Sequence, residues 1–188
     1  EKILIPKIFK SLKKRKMKIN DVFLSYSYER VMPGKNYYNS IINNYRCYSG
    51  LNRLSKNRVK TFLKTLVNHK KFPLKELNSI TECEAAKILE NSYRSINIAL
   101  IDEWVKYADL IKIDLMNVIN AIKIRPSHSN IMSPGLGVGG YCLPKDGLFA
   151  GKSSKILFKR KINFPFIDLA SKVNNDMPLT AIKLIENK

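Results

Sequence analysis

Residues 79–112, SITECEAAKILENSYRSINIALIDEWVKYADLIK, decide the fold. The stretch holds no glycine or proline. Ala85, Ile88, Leu89, Ile96, Leu100, Trp104, Val105 and Ala108 recur in it at helical spacing. One long helix is predicted, with those residues along one apolar face, which is expected to need a dimer partner. Thr81 and Glu84 have the spacing of a capping box, so the helix is expected to begin there. A break near Asp114 starts a second helix running to about Ile124. Residues 125–144 lack a helical period and are rich in glycine and proline, which predicts an ordered loop. Two more helices are expected near 145–160 and 165–187.

Upstream the pattern is different. Residues 3–17 read as a basic amphipathic helix, and 22–26 (VFLSY) as a short apolar strand. Residues 27–38 read as a loop, because Pro33-Gly34 is a strong turn signal. A second strand is expected at 45–50, a helix at 54–68 and a short strand at 73–77. Helix and strand alternate as at the end of an α/β domain, but with too few strands for a complete one. The expected organisation is an incomplete α/β part in 1–78 and an all-helical domain in 79–188. No internal repeat or low-complexity linker separates them.

Apolar residues make up 45% of the 188 and charged residues 26%, a soluble globular composition. No apolar run reaches the ~18 residues of a membrane span. The first ten residues, EKILIPKIFK, do not read as a signal peptide. Cys47, Cys83 and Cys142 are far apart and odd in number, with no metal spacing and no disulfide framework. A reducing cytoplasm is therefore expected. The net charge is +19, from 34 basic and 15 acidic residues. That suggests a polyanionic partner, but the basic residues are spread along the chain. The dense run at 10–18, KSLKKRKMK, has no interleaved aromatics for base stacking, and no nucleic-acid-binding motif is present. It reads as a solvated basic helix face.

Half of the eight glycines lie within 135–140. Gly135-Leu-Gly137-Val-Gly139-Gly140 fits G-x-G-x-x-G, yet it is not a dinucleotide fingerprint. No strand precedes it, and position 160, where an acidic residue would be needed, is an arginine. A backbone cradle is the better reading, since glycines let main-chain N–H groups approach a ligand and adopt positive φ. Cys142 follows two residues after Gly140. Pro144 suits the first turn of a helix, with Lys145 and Asp146 beside it. A cysteine at a helix start next to a lysine is placed to favour the thiolate, the form that attacks carbonyl carbon. Free cysteines are more often small buried apolar residues, which is the reading for Cys47 and Cys83. Lys87 and Asn91 form a second cluster. Four residues apart, they share one face of the long helix, where an ammonium and an amide can both stabilise one oxyanion. Two polar residues on a solvated helix would have the same spacing.

Four segments resemble the UDP-glucose/GDP-mannose dehydrogenase family of nucleotide-sugar 6-dehydrogenases. They are YSYERVMPG from Tyr26, EAAKILENSYRSINIALIDEW from Glu84, PGLGVGGYCLPKD from Pro134 and ASKVNNDMP ending at Pro178. GVGGYCLPKD is the specific one. The resemblance implies an N-terminal NAD-binding Rossmann domain, a central helical dimerisation domain like the C-terminal domain of 6-phosphogluconate dehydrogenase, and a C-terminal nucleotide-binding domain. This chain resembles the end of the first and the whole of the second. The expected fold class is therefore mostly α with a small α/β part, and the chain is expected to be a fragment that is inactive alone.

The resemblance also implies chemistry. The C6 alcohol of a UDP-sugar, of the UDP-glucose or UDP-N-acetylhexosamine type, is oxidised to the uronate with two NAD, through a cysteine thiohemiacetal and thioester. Cys142 matches the nucleophile. Lys87 and Asn91 match the pair on the C6 oxygen, Asp146 the acid that orients Lys87 or water, and Glu29 a general base for hydrolysis. Lys145 matches a lysine near the cofactor phosphates. Asn130, Ile131, Met132, Ser133, Pro134 and Gly139 match the loop around the sugar. Arg125 matches an arginine that reaches into the partner's site in a homodimer. No metal, membrane or nucleic acid is implied. Two departures stand out: Pro33 replaces a second glutamate found in some relatives, and Tyr28 stands where proline is common. Neither selects a sugar. The competing readings are a non-catalytic dimerisation fragment of the family and a basic nucleic-acid-binding domain.

Overall fold

A computed structural model describes residues 1–32 and 34–186. Pro33 of the expected turn and the last residue of the expected 165–187 helix lie outside these. The chain is mostly helical with one small sheet. It divides into two compact units, Glu1–Lys87 and Ile88–Lys188.

The first unit contains α1 (Leu4–Lys14), β1 (Ser25–Tyr26), α2 (Tyr37–Ile42), β2 (Cys47–Gly50), α3 (Arg53–Leu66) and β3 (Lys75–Glu76). The sheet order is β1-β2-β3. β1 pairs antiparallel with β2, Ser25 opposite Gly50, and β3 pairs parallel, Cys47 opposite Lys75. A parallel pair needs a crossover, and α3 supplies it. Asn52 begins α3 by accepting the Ser55 N–H at 2.8 Å. Tyr48, Leu63 and Val67 are buried. The Tyr48 hydroxyl donates to Glu76 Oε2 at 3.0 Å, tying β2 to β3. Burial and that carboxylate push the phenol up to about 12.

Two elements differ from expectation. The first strand is shorter than VFLSY, since only Ser25 and Tyr26 face a partner strand; Phe23 instead carries the Arg58 guanidinium at 3.9 Å from its ring centre. Helix α2 was not visible in the sequence, because YYNSII is short and no side chain caps it. Lys10, Lys13 and Lys14 of α1 are exposed.

Helix α4 (Ile80–Leu110) is continuous across the division. It begins one residue before the expected start, with a different cap. Ser79 Oγ accepts the Glu82 N–H at 3.1 Å, and the Glu82 carboxylate accepts the Asn78 N–H at 2.8 Å. Thr81 instead donates its N–H and hydroxyl to Glu1. At the other end Lys112 adopts positive φ, and the Ile113 N–H returns to the Ala108 carbonyl at 3.0 Å. Asp114 then caps α5 (Leu115–Lys123). The expected 145–160 helix is two pieces, α6 (Leu143–Asp146) and α7 (Leu148–Ile156), followed by α8 (Pro165–Glu186).

Of the residues in the apolar pattern, Ala108 is buried and Val105 packs on the core. Leu89, Leu100 and Trp104 are exposed. Besides Ile80 and Cys83 near its start, the residues that go inside are Asn91, Ser92, Ser95, Ala99, Ile101, Asp102 and Ala108. Short side chains allow close approach, and the polar ones among them find partners. Asn174 of α8 donates to the Ser95 carbonyl and hydroxyl, both at 3.1 Å. A compact apolar cluster of Ile101, Ala108, Leu115 and Ile119 completes the second unit, with Val105, Ile131 and Met132 packed on it.

Gly50 ends β2 where α3 begins. A Cβ there would lie 2.7 Å from the Lys56 nitrogen and 2.8 Å from the Ser55 carbonyl carbon, both backbone atoms that cannot swing aside. Gly50→Ala is expected to destabilise the first unit by about 1–3 kcal/mol. The loss should appear as a lower urea midpoint at unchanged slope.

Candidate active site

The second unit gathers four of the expected residues around α6. Cys142 occupies the position just before the helix, and its side chain is exposed. Its carbonyl accepts the Lys145 and Asp146 N–H groups at 3.2 and 2.9 Å, so the turn closes on the cysteine. Asp146 is buried. One carboxylate oxygen takes the Asn91 amide at 2.7 Å and the other the Lys145 ammonium at 2.9 Å. That leaves Asp146 oriented by two donors and unable to rotate freely. The Asp146 hydrogen bond raises the Lys145 ammonium above its ordinary value, with smaller electrostatic help from Tyr141 and Cys142. Lys145 lies 4.4 Å over the Tyr141 ring and 5.2 Å over Phe149.

The other two cysteines have different surroundings. Cys83 is fully buried, and burial pushes its thiol up to about 11. Cys47 is half-buried and receives the Tyr28 hydroxyl at 3.8 Å. Neither has the open approach a nucleophile requires.

In the first unit Glu29 meets Lys87. The Lys87 ammonium donates to the Glu29 carbonyl at 3.1 Å and stands 4.0 Å from its carboxylate. The Glu29 carboxylate also accepts the Val31 N–H. At that length and exposure the ion pair contributes little stability. The Tyr28 ring lies 5.6 Å from the same ammonium, and Arg30 donates to the Tyr28 hydroxyl at 3.0 Å. Buried Arg46 donates to the carbonyls of Tyr28 and Ile41, at 3.4 and 3.1 Å. Desolvation draws its guanidinium below the ordinary value. The chain around Glu29 is thus held by two arginines.

Residues 129–142 form a strap between a 3-10 turn (Pro126–His128) and α6, without regular secondary structure along most of its length. Asn130 is exposed and donates to the Tyr93 hydroxyl at 2.9 Å. Ile131 and Met132 face the apolar cluster, Pro134 is half-buried, and Ser133 and Gly139 are exposed. Gly137 and Gly140 have φ of +89° and +82°, in keeping with a glycine-dependent loop. At Gly137 a Cβ would also run into the Asn174 carbonyl oxygen. Arg125 is exposed, just after α5. No strand precedes the glycines, so they are not a dinucleotide turn. Among the described residues no group of three or more His, Cys, Asp or Glu could hold a metal ion. None of the described helices is long and apolar enough to cross a membrane.

Sequence reasoning missed Asp102, Arg46, Tyr93 and Asn174. Asp102 is wholly buried, and its Oδ1 accepts the Gly135 N–H at 3.2 Å. Its Oδ2 has no hydrogen-bond partner among the described residues. A signal existed: Asn91, Ser95, Ala99 and Asp102 fall on one helical stripe, but the stripe is too polar for a hydrophobicity pattern to register.

The family profile described as "UDP-glucose/GDP-mannose dehydrogenase family, central domain" matches residues 81–176, just over half of the chain. A UDP-N-acetyl-D-mannosamine dehydrogenase of Methanococcus maripaludis is 33% identical over 181 residues, covering 95% of this chain and 38% of that protein. Among solved structures, a UDP-D-ManNAc dehydrogenase from Pyrococcus horikoshii superposes with a TM-score of 0.77 at 26% identity, over 99% of this chain and 42% of that one. The UDP-N-acetyl-mannosamine dehydrogenase Cap5O from Staphylococcus aureus gives 0.68 at 28% identity, over 96% and 39%. The chain therefore spans about two fifths of these relatives.

Burial raises the Asp102 carboxyl, and the Gly135 N–H offsets this only in part. A group whose folded pKa is raised favours folding below its unfolded value, near 3.9, and loses that contribution as pH rises through the folded value. Relative to Asp102→Asn, which does not titrate, the native chain should be most stable near pH 3.5. It should lose ground steadily above that. Urea midpoints of both proteins between pH 3.5 and 7 check the sign, and a constant difference would contradict it.

Proposed function

The chain belongs to the UDP-glucose/GDP-mannose dehydrogenase family, and from that premise we propose that it carries the covalent chemistry of a nucleotide-sugar 6-dehydrogenase. The reaction is oxidation of a UDP-sugar C6 alcohol to the uronate. The observation that carries this reading is the exposed Cys142 at the head of α6, beside an Asp146 locked by Asn91 and Lys145.

Each residue has a task its chemistry suits. The Cys142 thiolate adds to the C6 aldehyde carbon, and the new oxyanion is stabilised by the Lys87 ammonium and the Asn91 amide. After the second oxidation the carbon is held as a thioester. Water attacks that carbonyl, Glu29 accepts the proton, and the C–S bond breaks to return the thiolate. Asp146 orients Asn91 and Lys145. Asn130, Ser133, Pro134 and Gly139 line the way to the sugar, with Ile131 and Met132 seating the strap on the apolar cluster. NAD, when bound, accepts a hydride at each oxidation stage. Of the described residues Lys145 suits its phosphates, but the strap cannot act as its dinucleotide cradle, because it follows no strand and opens only a four-residue helix. The relatives' names favour UDP-N-acetylmannosamine as the sugar to try first.

A homodimer is part of the proposal. Leu100, Trp104, Tyr107 and Leu110 expose an apolar face on the second half of α4, with Trp104 and Tyr107 in an edge contact at 5.5 Å. Water-exposed faces of this kind favour burial against a partner, and Arg125 would reach the partner's site.

Three measurements test this reading. The protein expressed from its full reading frame should yield two NADH per sugar with at least one of a panel of UDP-sugars. Cys142→Ser should lower complete oxidation by on the order of 10³ or more. Full activity in the serine variant would refute the covalent route. In sedimentation, Trp104→Glu should weaken self-association by about thirty-fold, roughly 2 kcal/mol.

A further inference from the structure

The strap that leads to Cys142 is exposed for much of its length: Gly135, Leu136, Gly139, Gly140 and Tyr141 all face solvent. It belongs to no ladder of backbone hydrogen bonds. A segment of that kind samples many conformations unless something holds it, and a cysteine at its end would sample them too. Its first residues are held by the Asn130–Tyr93 hydrogen bond and by Ile131 and Met132 on the apolar cluster, and two contacts to the helices of the second unit hold its glycine stretch. At mid-strap, the Gly135 N–H donates to Asp102 Oδ1 at 3.2 Å. Two residues on, Gly137 at φ +89° lies so close to the Asn174 carbonyl of α8 that no side chain fits between them. Asn174 is itself buried and is fastened to α4 through the Ser95 carbonyl and hydroxyl. Ser95 and Asp102 are seven residues apart, two turns along one face. Helix α4 therefore supplies both anchors, one directly and one through α8.

Asp102 is a costly choice for packing alone. It has no exposed surface, and its Oδ2 has no partner among the described residues. An apolar side chain would avoid that burden and would also release Gly135. Buried polar groups left partly unsatisfied need a reason, and the Gly135 tether is one.

We propose that Asp102 is a positioning residue whose buried carboxyl anchors the strap at Gly135 and thereby sets where Cys142 is presented. The inference rests on the proposed role of Cys142 for its functional meaning, while the anchoring itself does not.

The test uses the full chain and two readouts that need no turnover. By amide exchange in the native protein, Gly135 should exchange at least about ten-fold more slowly than Gly139 and Gly140 after correction for intrinsic rates. Asp102→Asn keeps an acceptor oxygen and should keep this protection. Asp102→Leu should lose it, bringing Gly135 to the rate of Gly139, while α4 and α8 amides stay protected. Alkylation of Cys142 by iodoacetamide, followed peptide by peptide, should change at least about three-fold in the leucine variant and return to within about two-fold in the asparagine variant. Equal exchange of Gly135 and Gly139 in the native chain overturns the proposal, and that comparison decides the matter if the leucine variant does not fold. Unchanged alkylation across all three proteins overturns it as well, as does a loss of protection spread evenly over α4 and α8. An intact tether in a protein without dehydrogenase activity would sink the functional reading and leave the anchor standing.

Discussion

The second unit is organised by the requirement that the buried polar stripe of α4 be paired. Asn91, Ser95 and Asp102 lie on one face of a helix several of whose larger apolar residues, Leu89, Leu100 and Trp104 among them, are exposed. Burying an amide, a hydroxyl or a carboxyl without a partner costs several times what an ordinary hydrogen bond contributes. Each of the three finds its partner in a different segment: Asp146 of α6, Asn174 of α8 and Gly135 of the strap. The stripe thus specifies which pieces of chain lie against the helix and in what register. An apolar stripe would bind them as tightly but with less discrimination, since hydrophobic contact is non-directional.

Close approach to the helices accounts for one of the strap's glycines. Gly137 meets the α8 backbone directly. Gly140 has open space but a positive φ that glycine adopts without strain. Gly135 and Gly139 have open space around their α-carbons, so packing does not account for them.

Much of this was legible in the sequence, and the failures have physical causes. Element types were readable where one period persists, as in α3, α4 and α5, or where a turn residue marks an end, as at Asp114. The GVGGYCLPKD segment singled out Cys142 and Asp146 by residue type and order alone. Hydrophobic periodicity found the helix of α4 but not the polar stripe it buries, because large apolar residues are only part of what goes inside. Ile101 and Ala108 do, and so do Asn91, Ser95 and Asp102, while Leu100 and Trp104 remain outside. The cap was misplaced for a related reason: Thr81/Glu84 and Ser79/Glu82 both satisfy the spacing, and only the chain entering the helix decides between them. Asp102 was invisible because its partner is a backbone N–H, which leaves no trace in residue identity.

The three cysteines show how far environment outweighs residue type. Cys83 sits inside the first unit with its thiol displaced toward the neutral form. Cys47 belongs to the central strand, where its carbonyl accepts the Ser27 hydroxyl at 2.7 Å and its sulfur receives Tyr28. Both are committed to structure. Cys142 alone among them has an exposed side chain, at the end of a strap and the start of a helix. Exposure by itself leaves a thiol mobile as well as reachable. Cys142 is further marked by the α6 turn, which closes on its carbonyl, and by the strap before it, held at Gly135 and Gly137. The nucleophile role proposed for it needs a group that is accessible and still at once, and an exposed thiol at the head of a short, well-tied helix meets both conditions with very few residues.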